Sequence, residues 1–322
     1  MRVTLLEYLG KGRGLCEALV RAGHSLTSDL NQADILFSHT DAPWRPTELQ
    51  YMQCAHDRGI PVVLYPHGAH PSIEYDGLQE TSELVTHKFV SGPGHVEVMR
   101  RINYPKPVFE IGWSYCPILP FQSVRKPKRI LFAPLHPWAD GKTIRDFDLL
   151  GNKLMFEKLV EDLPAGAELH VRYFGDMEPN GLSDRDNVFF HPITDLTVDW
   201  KQIDEMDLIV SCGTFAYLSV ARGKPTIFFN QRSPSVNDEG TKIVDNWNSY
   251  GEYIRYPIDM LDWPLPILVS KACEGGRWFE EWRRLFVGNQ IIHTRLDRVL
   301  SKIMGIPKRQ AKRKRKRVKA HH

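Results

Sequence analysis

The hydrophobic and polar positions of this chain follow two rhythms: short unbroken apolar runs, and stretches in which apolar residues recur every three or four positions. The clearest instance lies at residues 207–229. Positions 208–210 (Leu-Ile-Val) form an apolar run between polar neighbours, the mark of a buried strand. Ser211, Cys212, Gly213 and Thr214 form a small-residue turn, positions 215–220 carry helical spacing, and positions 226–229 are apolar again. The unit is strand, turn, helix, strand. Small residues let the backbone approach a ligand, and the free N–H groups of the first helical turn, joined by the Thr214 hydroxyl, face whatever lies above the strand ends. Such a place favours a phosphate.

The same theme opens the chain. Residues 3–6 read as a strand, Gly10-Lys11-Gly12-Arg13-Gly14 as a glycine-rich turn, and Leu15, Leu19 and Val20 as one face of a helix ending at Gly23. Strands over 24–27 and 33–37 follow. The turn lacks the final spacing of a GxGxxG fingerprint, and no acidic residue stands about twenty positions on at the end of a clear strand, so a dinucleotide cofactor is not indicated. Residues 46–58 read as a helix stopped by Gly59. A buried strand at 61–65 then runs into Pro66-His67-Gly68-Ala69-His70-Pro71. A strand at 88–91, a helix at 95–102 and a strand at 108–111 complete the first half. Residues 117–128, with Pro117, Pro120 and Pro127 among Arg125, Lys126 and Lys128, read as a linker. The pattern restarts with a strand at 129–133, a helix at 152–163, and strands at 168–174 and 188–190. After the 207–229 stretch come helices at 278–286 and 294–304, and no repeat is present.

Strands alternating with helices imply parallel sheets covered on both faces, with ligands at the carboxyl ends of the strands. The expected fold class is therefore α/β, with two Rossmann-like domains facing across a cleft. Residues 1–116 would form the first domain, 117–128 the linker, 129–307 the second, and 308–322 a disordered basic tail. The first domain's strand ends carry Lys11, Arg13, His39, Asp41, His67, His70 and Trp113.

Composition narrows this further. A hydrophobic fraction of 42% and a charged fraction of 25% suit a soluble globular protein. No run has the length of a membrane span, and the start of the chain turns polar too soon for a signal peptide, which predicts a cytoplasmic protein. The five cysteines are scattered and never spaced CxxC, so neither a disulfide framework nor a zinc site is indicated. The net charge of +3 hides a split: of the 42 Lys and Arg, nine lie in the last fifteen residues, leaving 33 against 39 acids, a net of −6, in residues 1–307. That tail has no apolar face and fits a polyanion, with Lys312, Arg313, Lys314, Arg315, Lys316 and Arg317 as its nucleic-acid-binding core. Its closing pair, His321 and His322, reads equally as native or as an added tag.

The glycine-rich first turn, the restart at Arg129-Ile-Leu-Phe-Ala-Pro, and Asp207-Leu-Ile-Val-Ser with Gly213-Thr214 and Gly223-Lys224-Pro225 together resemble the GT-B glycosyltransferases. The nearest likeness is to the group of CDP-glycerol glycerophosphotransferases and UDP-GlcNAc 2-epimerases. Its sharpest parts are Pro66-His67-Gly68, Phe132-Ala-Pro-Leu-His136, and the stretch from Ser211 to Pro225. The acidic ligand to the donor ribose expected after the phosphate turn is missing, since 215–223 holds no Asp or Glu.

The resemblance implies transfer from a nucleotide-diphosphate sugar donor, with the diphosphate held by Ser211, Gly213, Thr214 and Phe215 and charge added by His136 and Lys142. The resemblance also implies a metal-independent transfer, so no metal and no further cofactor is expected, and a helix start with added cations compensates the leaving group. The acceptor must lose a proton, for which His67 is the first choice of base and Asp41 the second. Gly12, Arg13, His39, Gly68 and His70 would line the first-domain side. The tail points to a polyanionic acceptor, a hydroxymethylated base in DNA, with a cell-envelope polymer as the alternative. A 2-epimerase would instead need carboxylates at the sugar, for which Asp41, Asp140 and Asp176 are placed.

Overall fold

The computed structural model describes residues 1–6, 12–39, 46–65, 83–101, 103–134, 138–139, 142–143, 150–174, 185–193, 200–211, 213–229 and 263–306. They form two compact units: the described residues of 1–115 and 288–306 in one, and those of 116–287 in the other.

In the first unit the elements run β1 (Arg2–Leu5), α1 (Arg13–Arg21), β2 (Ser25–Leu26), β3 (Ile35–Ser38), α2 (Pro46–Asp57), β4 (Val62–Leu64), β5 (His87–Val90), α3 (Pro93–Arg101) and β6 (Val108–Glu110). The six strands are parallel in the order β2-β1-β3-β4-β5-β6. Successive side chains of a strand point to opposite faces, and β3 shows the result. Ile35 and Phe37 join Leu15 and Leu19 of α1 on one face, while Leu36 joins Met52 and Ala55 of α2 on the other.

The second unit holds β7 (Arg129–Ala133), a two-residue hairpin pair β8 (Trp138–Ala139) and β9 (Lys142–Thr143), α4 (Leu150–Glu161), β10 (Glu168–Phe174), β11 (Val188–Ile193), α5 (Trp200–Glu205), β12 (Leu208–Ser211), α6 (Gly213–Ala221), β13 (Thr226–Phe228), α7 (Leu265–Glu274) and α8 (Arg277–Phe286). Its five-stranded parallel sheet has the order β11-β10-β7-β12-β13. Ile130, Phe132, Leu169, Val171, Leu208 and Val210 pack under α4 and α7. Tyr217 of α6, Phe228 and Trp282 of α8 meet as an aromatic cluster, with ring centroids 5.0–6.3 Å apart.

One helix is added and two expectations change. The helix α7 lies where the sequence shows Pro264-Leu265-Pro266, a stretch that the sequence pattern assigns to no element; a proline in the first helical turn forfeits no hydrogen bond, so the helix starts through it. Residues 117–128 are no free linker: the main-chain N–H groups of Leu119, Gln122 and Val124 donate to the carbonyls of Ala221, Gly223 and Cys273, so the segment is bound to the second unit along its length. The last helix, α9 (His293–Ile303), falls by sequence order in the 129–307 domain, but it buries Leu296 and Leu300 in the core of the first unit. The segment 308–322 lies outside the described residues. Among the described residues no helix is long and apolar enough to cross a membrane.

Candidate functional site

In an open parallel sheet, a crevice forms at the carboxyl ends where successive connections leave a strand to opposite sides. In the second unit that strand is β7: the chain proceeds from it to β10 and β11 on one side, then returns to β12 and β13 on the other. The carboxyl ends at this point are Ala133 and Ser211, and α6 starts only two residues beyond Ser211. Ser211 is fully buried, and its hydroxyl donates to the Ala133 carbonyl at 2.8 Å. Its side chain therefore ties the two strand ends across the crevice. Pinning that end fixes where the first-turn N–H groups of α6 stand.

Gly213 and Thr214 open α6, with Thr214 half-buried, and Phe215 carries the guanidinium of Arg172 above its ring, 4.9 Å from the centroid. Arg172 stands near the carboxyl end of β10, is 8% exposed, and donates to the side-chain oxygen of Gln202 at 3.2 Å. A buried guanidinium beside a helix N-terminus places fixed positive charge and a positive dipole end in one spot. Sequence reasoning passed over Arg172. The available signal was strand alternation: Leu169 and Val171 enter the core, so Arg172 must face the other side of a strand whose end lies beside the switch point.

Behind α6 a second polar group holds the chain in place. Arg222 donates twice to the Asp204 carboxylate, at 2.8 and 2.6 Å, and once to the Pro117 carbonyl at 3.1 Å, while Lys224 donates to the Asp204 carbonyl at 2.8 Å. The hydrogen bonds to Asp204 raise the Arg222 pKa, and burial lowers that of Lys224. The Gly-Lys-Pro sequence after α6 is thus structural: Lys224 ties α5 to the strand start and Gly223 lets the 117–124 segment lie close.

Of the other second-unit candidates, Lys142 has its backbone in the β8–β9 hairpin, opposite Ala139. His136 lies outside the described residues.

In the first unit the reversal falls at β1, with β2 on one side and β3 on the other, so the crevice belongs to the ends of β1 and β3. His39 directly follows β3 there. It is 2% exposed, and its ring lies 6.3 Å from that of Tyr65, whose hydroxyl donates to the Leu6 carbonyl at 3.0 Å. Tyr115 sits in the same unit. Burial, and secondly Tyr65, hold its phenol pKa well above the usual value. Gly12 is the buried residue before α1, whereas Arg13 turns outward and pairs with Glu17 at 3.5 Å. The glycine that crowding demands is Gly14, where a Cβ would stand 1.7 Å from the Ser114 carbonyl oxygen. The structure therefore puts Gly12 and His39 beside the crevice and sends the Arg13 side chain to solvent. Asp41, His67, Gly68 and His70 lie outside the described residues, as do Asp140, Asp176 and Lys312 to Arg317.

No protein-family model matches the chain, and no curated protein does. Among solved structures, the wall teichoic acid polymerase TagF aligns over 97% of this chain and 89% of its own, with a TM-score of 0.54 at 10% identity. The UDP-GlcNAc 2-epimerase from Neisseria meningitidis, bound to UDP-GlcNAc, aligns over 94% and 99%, with a TM-score of 0.53 at 12% identity. A glycotransferase of kitacinnamycin aligns over 94% and 97%, with a TM-score of 0.51 at 13% identity. The chain has their fold, the two Rossmann-like units of the GT-B glycosyltransferases, as its sequence led us to expect.

Proposed function

We propose that the protein is a GT-B transferase that moves a glycosyl group from a nucleotide-diphosphate donor to a hydroxyl acceptor. One observation carries this reading: the start of α6, held at the switch point by the Ser211 to Ala133 hydrogen bond, has the buried guanidinium of Arg172 beside its first turn. The main barrier in such a transfer is charge building on the leaving diphosphate. Preorganised N–H donors and a fixed cation in a site shielded from water compensate it without rearranging during the reaction. We assign that task to the first-turn N–H groups of α6, the Thr214 hydroxyl and Arg172, with no metal or further cofactor in the scheme. His136 and Lys142 add positive charge, and His67, or failing it Asp41, takes the acceptor proton.

The test is thermal melting with a panel of nucleoside diphosphates. A ligand that binds only the folded protein, at a hundred times its Kd, adds about 2.7 kcal/mol of stability. That moves the melting temperature by several degrees, and Arg172→Ala should weaken the preferred diphosphate about tenfold or more. A panel in which no diphosphate moves the melting temperature overturns the reading.

For the acceptor, the nine cations of residues 308–322 favour a polyanion, and we take it to be DNA carrying a hydroxylated base, which must leave the helical stack to react. The likeness to a wall teichoic acid polymerase favours a second reading, glycosyl or glycerophosphate transfer to an envelope polymer. The likeness to an epimerase favours a third, which donor incubation in deuterated water separates, because only epimerisation without acceptor labels the sugar carbon.

A further inference from the structure

The helix α9 belongs to the first unit and is the last described element before the basic segment. Its inner side is Leu296, Leu300 and Ile303. At about 100° per residue, Arg295, Arg298 and Lys302 fall within an arc of roughly 60° on the opposite side. Arg298 and Lys302 are exposed, and Arg295 keeps 40% of its side chain exposed while pairing with Glu110 at 2.9 Å. The one acid of the helix, Asp297, points elsewhere: its carboxylate lies 3.7 Å from the ring of His24, whose side chain is only 5% exposed. The outer face of α9 therefore carries three cations and no acid of the helix itself, with Arg295 paired to Glu110 of β6.

The direction of the helix also matters. Gln290, just before it, bridges to Trp113 beyond the end of β6; Arg295 reaches Glu110 in β6; and Lys302 lies 5.1 Å from the ring centroid of Phe109. So α9 descends along β6 away from the carboxyl ends, over about 16 Å for its eleven residues. The nine Lys and Arg of 308–322 follow after a short step.

We propose that the outer face of α9, formed by Arg295, Arg298 and Lys302, docks duplex DNA. This face lies on the first unit, away from the crevice at its strand ends. The proposal deepens the acceptor side of the transferase reading and rests on that reading for its purpose. Three cations on one rigid helical face gain most from a partner whose charges are also dense and fixed, because neither side must be ordered on binding. Duplex DNA has that property, and neutralising its phosphates releases condensed counterions. A membrane surface would call for apolar anchors among the charges. Within that arc α9 has no apolar residue, Thr294 and Ser301 flank it beside Arg298, and the basic segment offers only Val318.

The experiment uses the full chain, a fluorescein-labelled unmodified duplex and no donor, with anisotropy followed across a salt series. The pair Arg298→Ala with Lys302→Ala should lower the slope of log affinity against log salt by about 1.8, and weaken binding at 0.1 M salt about tenfold or more. Two controls frame this. Arg125→Ala with Lys126→Ala removes the same charge from exposed positions of the second unit and should keep the parent slope. The charge-preserving exchange Arg298→Lys with Lys302→Arg should also keep it, so that a lower slope in the alanine pair reads charge rather than folding. Equal slopes for the alanine pair and the Arg125 and Lys126 control overturn the proposal. So does a parent protein that ignores duplex but binds vesicles of three parts phosphatidylcholine to one part phosphatidylserine. The readout needs neither donor nor turnover, so its failure leaves the donor-site reading standing, and a silent diphosphate panel leaves the docking face standing.

Discussion

His191 on β11 lies with its Nε2 2.9 Å from Nδ1 of His170, and the other nitrogen of His170 is 3.4 Å from the Glu168 carboxylate. Burial, and secondly the neighbouring His170, hold the His191 pKa below 6.5, and burial alone does the same for His87 on β5. Both imidazoles are thus kept neutral in the fold while they accept protons readily in the unfolded chain. Their contribution to stability is fully present above pH 6.5 and is lost as the pH falls through the depressed folded values. We expect the melting temperature to drop between pH 7 and pH 5, and His191→Gln to flatten the profile. A His191→Gln profile that superimposes on the parent would show that this histidine takes no part. At this scale the sequence was partly readable. The position of His39 at a strand end followed from the apolar run before it. The tasks of Ser211 and Arg172 did not, because each depends on an atom far along the chain, the Ala133 carbonyl for one and the Phe215 ring for the other.

Elements with their own periodicity, such as α1 and the strand at 129–133, were legible because their apolar positions announce which side is buried. The segment 117–124 was not. Its prolines and charges look like a linker, and its binding to the second unit shows only in the main-chain bonds it makes and in the space left by Gly223. That glycine has φ +72°, and a Cβ there would lie 2.0 Å from the Pro120 carbonyl oxygen. Gly223→Ala adds left-handed strain of about 1–2 kcal/mol and a backbone clash that only displacement of the segment can relieve. Gly166 has φ +76° but open space around it, so Gly166→Ala should cost only the strain. The expected order of melting temperatures is parent, then Gly166→Ala a few degrees lower, then Gly223→Ala lower by at least twice as much. Equal losses in the two variants would mean that the 117–124 segment is not held as described.

Across the whole molecule, the chain closes on its beginning: α9 returns Leu296 and Leu300 to a core whose other members lie between residues 3 and 111. Each buried leucine is worth about 1.5–3 kcal/mol, against a stability of about 5–15 kcal/mol for a typical domain. A chain ended after Val287 should therefore lose cooperative melting of the first unit and bind the dye ANS. One ended after Pro307 should melt as the parent does. If the shorter chain also melts as the parent, α9 is dispensable to that core. The sequence by itself determined the α/β class, the parallel sheets and the two-unit plan, because the alternation of buried strand and half-buried helix is written locally, within a few residues of each position. It also determined the charge of the final segment, which needs no fold to be read. Only the tertiary structure decided to which unit the last helix belongs, that Arg172 stands at the first turn of α6, and that the cations of α9 share one outward face. Each of these depends on contacts between residues far apart in the chain, and local periodicity says which face of an element is buried but not what buries it.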